Sequence, residues 1–142
     1  MASKFKFVDH TADIAVDAEA DTIEELFIIS AQAWKESVFG ESIIEEKEKK
    51  KIDIAERDTE LLLVKFLDEL NFLFQAKKWA CGSIKEIIIK KNKEWYLSAL
   101  ILGELFKEKK HSVNAEIKAV TFHQLEIRNI SGKYSTRIVF DI

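Results

Sequence analysis

The sequence predicts an α+β fold: a single-domain two-layer sandwich, with two helices packed on one face of a largely antiparallel mixed sheet. Three observations carry this. Segments of period-two alternation lie at both ends of the chain and through its second half, and that period buries one strand face while freeing the other. Two segments with helical spacing, each behind a capping residue, interrupt them in the first half. The resulting order is strand, strand, helix, strand, helix, then two hairpins, and such grouping favours antiparallel pairing. The 142 residues, 47% of them hydrophobic, suffice for one core. No repeat, low-complexity tract or linker divides them, so residues 1–142 read as one domain.

Phe5 and Phe7 alternate with Lys4 and Lys6 in the first strand, and Ile14, Val16 and Ala18 alternate with Asp13, Ala15 and Asp17 in the second. Thr22 is placed to cap a helix, with Glu25 three residues on completing a capping box. Ile23, Leu26, Phe27, Trp34 and Val38 give that helix one apolar stripe, and Gly40 is its stop. The mixed charge run Glu45–Lys51 reads as an exposed edge strand or loop kept soluble by its charges. Ile52 and Ile54 follow as a short strand. Asp58 caps a second helix that runs to about Lys78 and ends by Cys81-Gly82. Its apolar residues, from Leu61 to Phe74, cover more than one stripe, which marks it as the most buried helix.

The remainder is strand-like. Ile84–Lys90 and Trp95–Leu102 flank a Lys91–Glu94 connection, Gly103–Ala115 is a polar loop, and Ala119–Arg128 and Tyr134–Ile142 flank Asn129–Lys133. Phe5, Phe7, Ile14, Val16, Leu63, Phe66, Leu67, Leu70, Ile138 and Phe140 are the expected core.

Composition excludes several functions. A formal net charge of -3 gives no electrostatic basis for strong unassisted nucleic-acid binding. The single cysteine, Cys81, rules out an internal disulfide and suits a reducing compartment. No stretch approaches the ~20 apolar residues of a spanning helix, and the N-terminus lacks a signal-peptide core; the expectation is a cytoplasmic protein without membrane contact. Ser98 and Cys81 lack the glycine-framed elbow of an activated nucleophile. The four glycines build no phosphate loop. His10, His111 and His123 have no metal-ligand spacing, and His123 reads as structural.

Oxygen ligands fare better. A strand that begins a domain and one that ends it lie side by side when the termini are close. Asp13, Asp141 and the main-chain carboxylate of Ile142 would then meet as a hard, anionic site suited to calcium or magnesium.

Phe7-Val8-Asp9-His10-Thr11-Ala12-Asp13-Ile14, followed by Asp21-Thr22-Ile23-Glu24-Glu25-Leu26-Phe27, resembles the opening of the archease family. Ile117–Ile127 resembles that family's second signature, and Phe140-Asp141-Ile142 its ending. The resemblance spans essentially the whole chain. It implies a small non-catalytic accessory factor of the GTP-dependent RNA ligase of tRNA splicing, one that promotes guanylylation and multiple turnover and meets RNA only through the ligase. It also implies a divalent-metal site, typically calcium, on Asp13, Asp141 and Ile142, and a functional lysine at Lys118 that contacts ligase or nucleotide. Phe122 departs from the family's usual tyrosine. Asp9, His10 and Thr11 belong to the motif but read as turn-forming, since Asp and Thr side chains bond local amides. Two rival readings stand beside this one: a chaperone-like module whose apolar second helix grips clients, and a metal-dependent hydrolase built on Asp13 and Asp141.

Overall fold

The computed structural model describes residues 3–8, 13–122 and 125–142. Their order is β1 (Lys4–Val8), β2 (Asp13–Ala20), α1 (Ile23–Phe39), β3 (Glu48–Glu56), α2 (Thr59–Lys77), β4 (Trp79–Lys91), β5 (Trp95–Leu105), β6 (Ala119–Val120), β7 (Arg128–Ile130) and β8 (Lys133–Asp141). The α+β class and the two helices agree with expectation. The strands divide between two sheets, however, where the sequence suggested one. The first runs β1-β2-β8-β6 with β7 also on β8, the second β3-β5-β4, and all their pairings are antiparallel. The long β4–β5 hairpin explains the split: two irregularities, at Cys81/Ser83 and Ile84/Glu86, add twist and turn it away from the first sheet.

Both helices touch both sheets. α1 packs on β1, β2, β8 and β4, and α2 on β3, β4, β5 and β6. One core therefore joins Val16, Ile138 and Phe140 of the first sheet, Leu97 and Ile101 of the second, and Phe27, Trp34, Phe66 and Leu70 between them.

The capping residues act as their sequence context predicts. Thr22 Oγ1 accepts Glu25 N–H at 3.1 Å and Asp58 Oδ1 accepts Leu61 N–H at 2.7 Å. Gly40 caps α1 at φ +59°. The capping box differs in its second half, for the Glu25 carboxylate accepts the Ser3 hydroxyl at 2.7 Å.

Four expectations need correction. Helix α2 ends one turn earlier than Cys81-Gly82: Lys78 adopts φ 55°, ψ 37°, and its N–H closes the helix on Leu73 and Phe74 carbonyls. Cys81-Gly82 then lies inside β4. Gly103 is not the start of a loop but part of β5, where the β4 backbone comes so close that a Cβ would stand 2.0 Å from the Ala80 carbonyl oxygen. The predicted strand Ala119–Arg128 is broken into β6 and β7, both paired with β8, and the β7–β8 connection is a two-residue turn, Ser131 at φ 54° and Gly132 at φ 80°. Positive φ at both central residues matches the hairpin twist. Lastly, Phe7 is 46% exposed because β1 is an edge strand that the helices only partly cover; the other core residues named are buried or packed against the core.

Candidate functional site

The register of β2 on β8 settles which residues of the two strands face each other. Ile14, Val16 and Ala18 stand opposite Phe140, Ile138 and Thr136 on the face toward the helices, and Asp13 stands opposite Asp141 on the other. Directly opposed residues of an antiparallel pair share a face, with Cα atoms about 4.5–5.5 Å apart. The two carboxylates that the sequence separates by more than 120 positions are thus cross-strand neighbours at one corner of the first sheet. Asp141 and Ile142 are exposed there.

The next strand brings in Lys118. Ala119 pairs with Asp141, and Lys118 N–H also donates to the Asp141 carbonyl oxygen at 2.7 Å. Lys118 therefore enters β6 already tied to the end of β8. Lys118 is exposed. The corner thus unites Asp13, Asp141, Ile142 and the Lys118 backbone. Asp9, His10, Thr11 and His123 lie outside the described residues.

Donor chemistry at this corner fits a hard cation. Like charges directly across a strand pair are unfavourable, and a divalent ion between the carboxylates removes the penalty. Among the described residues no three His, Cys, Asp or Glu side chains form a metal-holding group. A cation bound by Asp13 and Asp141 would need further oxygens, and the Ile142 main-chain oxygens lie next to Asp141 in the chain.

Farther along the same face, Arg137 grips Asp17 through two bonds of 2.7 and 2.9 Å, and this guanidinium holds the Asp17 carboxyl below its ordinary range. Lys4 pairs with Glu19 at 2.9 Å. A concavity of about 620 Å³ lies over these rows, lined by Lys4, Lys6, Asp17, Glu19 and Arg137 among others, and neither Asp13 nor Asp141 lines it. A hydrolase using the two aspartates would need its substrate pocket at the carboxylates, and this hollow is elsewhere.

A second acidic centre was invisible in the sequence. Glu104, 3% exposed, accepts Glu45 N–H at 2.6 Å, Lys110 Nζ at 2.9 Å and His111 Nε2–H at 3.0 Å. The His111 tautomer follows from its other nitrogen, since Nδ1 accepts Lys107 N–H at 3.0 Å. Burial alone would raise the Glu104 carboxyl, but these donors outweigh it and hold it at about 2. Every partner is internal, so the cluster anchors the loop after β5 rather than offering ligands. Cys81 is equally inert: it is buried, and its thiol is pushed up to about 12 by desolvation, far from a nucleophile's range.

Residues 5–142 match the model of the Archease protein family. The "Protein archease" of Pyrobaculum neutrophilum is 33% identical over 139 residues, covering 97% of this chain and 95% of the relative. The solution structure of a Methanobacterium thermoautotrophicum protein superposes with a TM-score of 0.82 at 33% identity, covering 97% of this chain and 98% of that one. The crystal structure of an "archease, possible chaperone" from Thermotoga maritima gives 0.66 at 26% identity, with 96% of each chain covered.

Proposed function

The chain belongs to the archease family, and from that premise we propose that it is an accessory factor of the GTP-dependent tRNA-splicing RNA ligase, promoting ligase guanylylation and repeated turnover. The ligase performs the sealing chemistry and contacts the RNA. Asp13, Asp141 and the main-chain oxygens of Ile142 hold a divalent cation, calcium or magnesium by donor type and calcium by the family resemblance. When bound, the ion offsets the corner's negative charge, so that the corner approaches a phosphate-bearing partner without repulsion. Lys118, whose N–H bonds the Asp141 carbonyl oxygen, presents a cation to that partner.

The single observation supporting this reading is the pairing of Asp13 with Asp141 beside the Lys118 backbone. Like charges directly opposite each other on a strand pair are destabilising, and a divalent cation between them would relieve that. The test is multiple-turnover RNA ligation with the ligase alone, with this protein added, and with this protein and a chelator of calcium. Stimulation that the chelator abolishes supports the proposal, and ligation rates equal in all three sink it.

The Thermotoga maritima archease, described as a possible chaperone, favours a second reading, a chaperone-like binding module. In this chain the apolar residues of α2 are largely in the core and Phe72 alone among its large apolar side chains is exposed, at 51%. A client surface on this helix is therefore small. Protection of an aggregating model protein without any effect on ligation would favour the chaperone.

A further inference from the structure

Helix α2 interrupts its apolar surface with three polar residues on one face, Asp68, Asn71 and Gln75, spaced three and four apart. All three reach the same short segment. Asn71 Nδ2 donates to the Ile117 carbonyl oxygen at 2.8 Å, Gln75 Nε2 donates to that same oxygen at 2.6 Å, and the Asp68 carboxylate accepts Val120 N–H. Asn71 is only 6% exposed, and its Oδ1 takes Trp34 Nε1–H of α1 at 3.0 Å. The bonds thus close on the residue before Lys118 and on the one two places after it.

We propose that Asp68, Asn71 and Gln75 are positioning residues for Lys118: α2 grips the strand from the helix side while β8 holds it from the sheet side. β6 has only two residues, so its ladder with Asp141 and Phe140 is too short to fix a side chain just before it by itself. Burying an amide in a helix otherwise lined with Leu and Phe is costly unless every polar atom is matched, whereas an apolar residue facing an apolar strand folds as well. The seam therefore reads as a device for place rather than for stability. It sets where Lys118 emerges beside Asp141, and it gives the otherwise apolar α2 a part in the function.

This inference rests on the ligase role of Lys118 proposed above, so its test carries one arm that needs no ligase. Asn71→Leu strands the buried Trp34 N–H as well, so Asp68 and Gln75 are the residues to change. Asp68→Leu and Gln75→Leu should each lower ligase stimulation about tenfold, as misplacement of a contacting group does, with calcium binding unchanged. Gln75→Leu should leave the melting temperature unchanged, since Asn71 still matches the Ile117 carbonyl, whereas Asp68→Leu takes the acceptor from the buried Val120 N–H and should lower it. Asp68→Asn, whose side-chain oxygen still accepts Val120 N–H, should retain stimulation. In a Lys118→Ala background neither leucine variant should cause any further loss. Losses that are equal in both backgrounds, or absent in both, overturn the proposal. The ligase-free arm follows amide hydrogen exchange at Lys118 and Val120: faster exchange in Asp68→Leu but not in Asp68→Asn supports the grip, and unchanged exchange in both overturns it. Should the native protein fail to stimulate the ligase, the functional reading falls, and the exchange arm still decides the grip.

Discussion

Two cross-strand pairs on one face of β2 and β8, four residues apart, follow opposite rules. Asp17 faces Arg137 in a two-bond ion pair, the arrangement a sheet surface favours. Asp13 faces Asp141, an arrangement that costs free energy as it stands. The Glu104 cluster supplies the third term: there a carboxylate is buried, and the protein itself provides all the donors. The Glu104 partners are all internal to the chain, whereas Asp141 is exposed beside the half-buried Asp13, and a like-charged pair open to solvent on one side is where a cation from outside would act.

The largest effect should come from the matched acid. Glu104→Leu leaves the His111 ring N–H and Glu45 N–H without an acceptor, and buried donors left so cost roughly 1–3 kcal/mol each. Denaturant unfolding should register a loss of about 3 kcal/mol, with calcium binding intact. The same residue predicts a pH dependence. Its carboxyl titrates at about 2 in the fold against 4.5 as the ordinary value, so its stabilisation is present above pH 4.5 and is lost as pH falls toward 2. Acid unfolding of Glu104→Gln should lack that slope, and a slope unchanged from the native protein would remove Glu104 as its source.

The like-charged pair comes next. Asp13→Asn or Asp141→Asn should weaken calcium binding at least tenfold, about 1.4 kcal/mol, measured by calorimetric titration. In metal-free buffer the same changes should leave stability equal or slightly raised, because a repulsion is removed. A metal-free protein destabilised by Asp141→Asn would show that relief of repulsion is not what the substitution does. Residues appended after Ile142 should weaken the metal as well, by displacing its main-chain oxygens.

Smaller effects sharpen the contrast. Thr22→Ala removes a cap bond on α1 and should cost about 1 kcal/mol in thermal unfolding, with ligase stimulation untouched. Arg137→Ala should shift the melting curve least, and high salt should erase what shift there is, since exposed ion pairs are screened. A larger, salt-resistant loss would mean that the Asp17–Arg137 pair carries more than its exposure suggests.

What the sequence determined by itself is what short-range chemistry encodes. Thr22, Asp58 and Gly40 bound helices because a cap acts within a turn of its own position. Period two placed Ile14, Val16, Ile138 and Phe140 inside and Asp13 and Asp141 outside, and it made their strands natural neighbours. The family pattern then marked Lys118. What the tertiary structure alone decided is everything that depends on distant partners. Whether Cys81-Gly82 ends a helix or continues a strand was settled by Lys78 closing α2 and by β5 lying alongside. Phe7 alternates like a core residue, yet it is left exposed by an edge that the helices do not cover. Glu104 and His111 carry no mutual signal in sequence, and Asn71 meets its carbonyl 46 residues away. Local propensity and periodicity register neighbours within a few residues, whereas a buried polar group is specified by whatever the fold brings to it. The corner was therefore legible because it is made of strand ends, and the seam behind it was not.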